Sequence, residues 1–168
     1  NFFESGNKII GWLISEGKIL AQRNEHIEFP GWKGNPKGTL IVYKNGKVEV
    51  GWKWDSEIEP ENIWFCCQGI NLLPPKMTLH EGMKKEGFDY ATVGYSTNRL
   101  SIGYNPDTKK IVAAARPNSN AERAVITMGN LGCEYNAICL DSGLSCVFVV
   151  DGIEHMTTSR ILPSIITW

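Results

Sequence analysis

The stretch from Asn136 to Gly152, N-A-I-C-L-D-S-G-L-S-C-V-F-V-V-D-G, is where residue types and spacing best fit chemistry. An apolar run, Ala137 to Leu140, stops on a carboxylate, Asp141. A turn bearing Ser142, Gly143 and Ser145 follows, then a second apolar run, Cys146 to Val150, and the hairpin-type pair Asp151-Gly152. A buried strand that carries an acid to its exposed end, beside a polar turn, is a common way for α/β proteins to build a site. Asp is also a good turn former, so Asp141 would serve equally as a local cap.

Other chemistries find less support. Of the five cysteines, Cys66 and Cys67 are adjacent, while Cys133, Cys139 and Cys146 lie in or beside apolar segments. They read as buried free thiols, which leans toward a reducing compartment and hence the cytoplasm. No C-x-x-C pair occurs, and the three histidines are scattered, so no zinc site is expected. A formal charge of −1 gives no polyanion-binding surface, and no nucleic-acid partner is expected. P-loop, dinucleotide and serine-hydrolase patterns are missing. No apolar run reaches membrane-spanning length, and the chain opens on Asn1 without a cationic and apolar leader pattern, which leaves secretion of a longer parent open.

The chain must place Asp141 with the elements available to 168 residues that are 42% hydrophobic, enough for one domain with a sizeable core. Short strands are expected over Ile9–Ile14, Lys18–Leu20, Gly38–Tyr43 and Lys47–Trp52. Glu16-Gly17 and Asn45-Gly46 separate them, and Asn-Gly is the strongest short hairpin signal. Glu25 to Pro36 reads as a loop, and Trp32 within it could stack on a sugar or base. Ile63–Gln68 is a further strand. Met77–Glu86 suits a short helix capped by Thr78 with Glu81. Thr92–Tyr95, Leu100–Tyr104 and Lys110–Ala115 read as strands. The clearest helix begins at Ser119 as N-cap with Glu122 at N3, runs through Ala121, Ala124, Val125, Met128 and Leu131, and ends at Gly132. Strand, helix and strand from Lys110 to Leu140 fit a crossover unit. The expected fold is α/β (α+β): one domain over 1–168, a mixed β-sheet rich in hairpins with a few flanking helices.

With these elements placed, the chain resembles the phosphodiester glycosidase domain family along nearly its whole length. Asn1-Phe2-Phe3 is similar to an Asn-x-Phe-Phe segment, and Ile9 to Leu20 to a following G-x-L-I-x-D-G-K hairpin. Gly38 to Val50 resembles the next hairpin. Arg99-Leu100-Ser101-Ile102-Gly103 stands where the family has an Arg-Thr-Ala-Ile-Gly type strand. Leu131-Gly132-Cys133 is similar to its L-G-C helix end, and Ala137 to Ser145 to its A-x-x-L-D-G-G-G-S signature. Arg160 stands where the family has an Arg near its end. The chain departs from the signature at Ser142 and Leu144, where the family has glycine, and side chains there would narrow or re-aim the pocket. It also opens inside a motif, so further residues are expected upstream; were they absent, part of the site would be missing or supplied by another chain.

The resemblance implies hydrolysis of a sugar-1-phosphodiester of the GlcNAc-phosphodiester type. Such a reaction needs a cation on the phosphate and a carboxylate that stabilises the oxocarbenium or activates water. Asp141 is the expected carboxylate. Arg99, after the polar run Ser96-Thr97-Asn98, is the first candidate for the phosphate, because a guanidinium presents a planar fork of donors. Arg160, equally suited to a surface ion pair, is a further candidate, and Arg116, after a strand and before Pro117-Asn118-Ser119, is a third. Ser142, Gly143 and Ser145 would line the site, with Asn118 and Ser119 facing it from the crossover loop near a helix N-terminus. Glu122 reads as a capping residue. The resemblance implies no cofactor, although a divalent cation such as calcium is left open. It implies a small phosphorylated sugar or nucleotide-sugar ligand and leaves homo-oligomerisation open. The family is often secreted, which runs against the cytoplasmic lean of the thiols. A binding module for a phosphorylated sugar or nucleotide, and a structural domain of a phage or wall-associated protein, are the alternatives to a hydrolase.

Overall fold

The computed structural model describes residues 2–3, 9–22, 34–72, 76–89 and 94–157. Its spine is β7 (Ile63–Asn71), a nine-residue strand buried from Cys66 onward. One edge of β7 pairs along its length with β5 (Lys37–Tyr43), which forms a hairpin with β6 (Val48–Lys53). The other edge is shared. β3 (Leu13–Ser15) meets Cys66 and Cys67, and β10 (Ala137–Ser142) meets Ile70 and Asn71. Beyond β10 come β8 (Thr97–Asn105) and the edge strand β9 (Lys110–Ser119). β4 (Lys18–Ala21) closes the opposite margin, giving eight strands in one sheet. Two small ladders stand apart, β1 (Phe2–Phe3) with β2 (Ile9–Ile10), and β11 (Phe148–Val150) with β12 (Ile153–Met156).

The turns follow from the residues. Glu16 and Gly17 take φ of 51° and 74°, and Asp151 and Gly152 take 51° and 77°, the left-handed pair that tight hairpins require. The apolar run expected as one strand over Ile9–Ile14 is broken into β2 and β3. Gly11 takes φ of 88°, and a Cβ there would lie 2.5 Å from Gln68 Oε1, the atom that accepts the Trp12 N–H at 2.9 Å. β9 runs on past Ala115 through Pro117, which an edge strand tolerates because its outer N–H positions need no partner. The second apolar run shortens to Phe148–Val150, since Cys146 closes a 3₁₀ turn over Gly143–Ser145 instead of joining the ladder. Of Thr92–Tyr95, the first two residues lie outside the described set, and Gly94 and Tyr95 are not strand.

Helix α1 (Leu79–Lys85) carries the expected box: the Thr78 hydroxyl accepts from Glu81 N–H, and the Glu81 carboxylate accepts from Thr78 N–H. Helix α2 (Ala121–Asn130) joins β9 to β10. Both strands run antiparallel to the intervening β8, so β9 and β10 are parallel to each other and α2 is a crossover between them. The helices lie on one face over Ile70, Leu72, Met83, Ala121, Ala124, Met128, Ala137 and Cys139. On the other face Leu13, Leu40, Cys67, Ile102, Ile138 and Leu140 form a second cluster. β5 and β6 touch β10 there, and β6 touches β8, so the sheet curls back over that cluster. With both faces covered, β10 reads as an unbroken apolar run up to its carboxylate.

Candidate functional site

Parallel β9 and β10, with α2 starting where β9 ends, bring Asn118, Ser119, Asp141 and Ser142 to one end of the sheet. The start of β8 lies there too, since Thr97 pairs with Ser119 and Arg99 with Ser142. Between Cys139 and Ser142 the register slips, β10 spending three residues where β8 spends two, from Ser101 to Arg99. Such a bulge re-aims side chains near a site.

Arg99 holds this end together. It is only 2% exposed. Its Nε donates to Ser119 O at 3.3 Å, one terminal nitrogen to Ser142 Oγ at 2.7 Å, and the other to Tyr95 O at 2.9 Å. The Tyr95 ring lies over the guanidinium, 5.2 Å from Cζ to its centroid. A planar fork reaching three segments in one plane is a task for arginine and not for lysine. Asp141 is half-buried, and its Oδ1 accepts the Ser142 N–H at 2.8 Å, which fixes the carboxylate beside the hydroxyl that Arg99 binds.

Two thiols lie beneath. Burial pushes the Cys146 thiol up to about 12, with Cys139 and Asp141 adding to the rise and Arg99 opposing it, so acid and guanidinium act on the same sulfur. Cys146 Sγ lies 3.2 Å from Asn98 O and 3.5 Å from Asp141 O, sharing its single S–H between them and lacing the turn onto β8. Burial also raises Cys139, against Arg99, Ser142 and Ser101. These thiols are packing and bracing groups, because the thiolate needed for nucleophilic work is disfavoured.

Gly143 takes φ of 70°, and a Cβ there would lie 3.3 Å from Thr97 Oγ1, so the one glycine left in the turn stands where backbone strain asks for it. Ser145 is half-buried at the end of the same 3₁₀ turn. Asn118 takes φ of 48° and is exposed, and its carbonyl accepts from Arg123. Arg116 pairs across the ladder with Arg99, is exposed, and donates to Thr127 Oγ1 of α2 at 2.9 Å. Ser119 is buried, and it is not the helix cap. It stays in the ladder opposite Thr97, and Asn120 caps α2 by accepting the Arg123 N–H at 3.0 Å. Glu122 therefore stands at the second helical position and not in a capping box, with its Oε2 buried and unpartnered. Arg160 and Trp32 lie outside the described residues. The structure thus joins Arg99, Ser119, Asp141 and Ser142 through hydrogen bonds, and puts Gly143 and Ser145 in the adjoining turn. Arg116 and Asn118 are anchored to α2 at the rim.

Tyr95 and Cys146 are contributors that sequence reasoning missed. Tyr95 immediately precedes the polar run that leads into Arg99, which is the signal that it belongs with that residue. Among the described residues no group of three or more His, Cys, Asp or Glu side chains could hold a metal ion. No helix there is long and apolar enough to cross a membrane.

No protein-family model matches the chain, and no curated protein matches it. Among solved structures, it is similar to the catalytic domain of zebrafish N-acetylglucosamine-1-phosphodiester alpha-N-acetylglucosaminidase, auto-inhibited by its pro-peptide. The TM-score is 0.70 at 18% identity, covering 94% of this chain and 54% of that one. The two share the sheet-rich α+β fold, and the chain spans about half the length of that structure.

Proposed function

We propose that this chain is a hydrolase that cleaves the glycosidic bond of a sugar-1-phosphodiester. The observation that carries the proposal is the carboxylate of Asp141, held by Ser142 N–H at the sheet end that Arg99 assembles, in a fold shared with an enzyme named for that reaction. In this reading Asp141 faces the anomeric carbon and stabilises its developing positive charge or activates water. Phosphate is a good leaving group, so no strong general acid is demanded. The start of α2, with Asn118 beside it and Arg116 at the rim, offers the phosphate a favourable field. Arg99, whose nitrogens bond protein oxygens, acts mainly by positioning Ser142 and Ser119.

The test is release of sugar from UDP-GlcNAc or a simple GlcNAc-1-phosphodiester. Asp141→Asn should lower turnover about a thousandfold while leaving the fold intact. Unchanged turnover would remove Asp141 from the chemistry. A second reading, capture of a phosphorylated sugar without turnover, is favoured by the burial of Arg99 and by Ser142 standing where the resemblance expects glycine. It would show as ligand-induced thermal stabilisation with no product.

A further inference from the structure

Tyr95 stands out once Arg99 is understood. The tyrosine is 53% exposed, although both its backbone carbonyl and its ring engage a buried group. Its backbone carbonyl is bound by one end of the Arg99 guanidinium at 2.9 Å, and its ring lies over the same guanidinium. The other end of that guanidinium binds Ser142 Oγ, and Ser142 N–H binds Asp141 Oδ1. The ring and the carboxylate are therefore both tied, from opposite ends, to one buried cation. A cation beneath an aromatic face adds attraction that holds the ring in place. Pyranose rings present apolar C–H faces, and a pre-positioned aromatic face receives them at little entropic cost.

Building on the proposed sugar-phosphodiester site, we infer that Tyr95 is the sugar platform of that site. Its ring receives the C–H face of the glycosyl unit and sets that unit against Asp141. Its phenolic hydroxyl is not required for this, because stacking uses the ring.

The experiment measures binding and turnover of a GlcNAc-1-phosphodiester by wild type, Tyr95→Phe and Tyr95→Ala, with saturation-transfer NMR on the sugar protons. Tyr95→Phe should keep affinity within about twofold, whereas Tyr95→Ala should weaken it about tenfold and remove saturation from one face of the sugar. Since the residue is more than half exposed, Tyr95→Ala is expected to fold, and an unchanged melting temperature checks this. A Tyr95→Ala variant that is folded and binds as wild type overturns the platform while leaving the hydrolase reading intact. Binding that depends on Tyr95 without any turnover supports the platform and removes the hydrolase. If the sugar phosphodiester fails to bind wild type, both fall.

Discussion

Arg99 is a residue whose charge matters less than its shape. Lysine at this position would keep the cation but could reach only one of Ser119 O, Ser142 Oγ and Tyr95 O well. Arg99→Lys should therefore cost about 3 kcal/mol in urea denaturation, as buried charge-assisted bonds are lost. It should also lower turnover more than it weakens binding, since Ser142 and Asp141 lose their bearings. At this scale much was legible. Asp141 announces itself because a buried strand ends on it, and Arg99 because a polar run leads into an apolar strand. The cap of α2 was not legible. Ser119 and Asn120 are both good caps, and only the cross-strand pairing of Ser119 with Thr97 decides that the helix starts one residue later.

Helix α1 is pinned to the sheet by an acid. Glu86, at its C-terminal end, is fully buried, and its carboxylate accepts from Trp52 Nε1 and from Asn71 N–H. Lys37 donates to the Glu86 carbonyl, and the Lys85 ammonium lies 4.1 Å over the Trp52 ring. Burial raises the Glu86 carboxyl from 4.5 to about 8, with Asn71, Trp52 and Lys37 pulling it back only partly. The folded state thus holds a proton that the unfolded chain gives up near 4.5. The sign follows: the contribution of Glu86 is fully present below pH 4.5, declines as pH rises, and is lost by about pH 8. Glu86→Gln should flatten the fall in stability across this window, an effect on the order of a few kcal/mol, read from urea midpoints at a series of pH values. Periodicity and capping residues gave away α1 and its Thr78–Glu81 box. Nothing local marked Glu86, because its burial comes from β5, β6 and β7. Likewise the break at Gly11 depends on Gln68, more than fifty residues away.

At the scale of the molecule, all five cysteines are free and buried, spread over both faces of the sheet. Burial lifts Cys67 to about 11 and Cys146 to about 12, so thiolate is scarce in the folded state. The native chain should react with Ellman's reagent far more slowly than the unfolded chain, which should yield five equivalents. A reducing agent should leave the melting temperature unchanged, and a shift would reveal a disulfide among them. The class of fold was readable from hairpin dipeptides and from one strongly periodic helix. The branching of β7 between β3 and β10 was not, since two strands sharing one edge leave no mark on the strand they share. That the site is tied together by bonds spanning 20 and 43 residues has a consequence for biosynthesis. A nascent chain can carry nothing of this pocket until β10 has emerged and inserted between β7 and β8. Assembly of the proposed site therefore waits on β10, and fragments ending before residue 142 should be inert toward any sugar ligand.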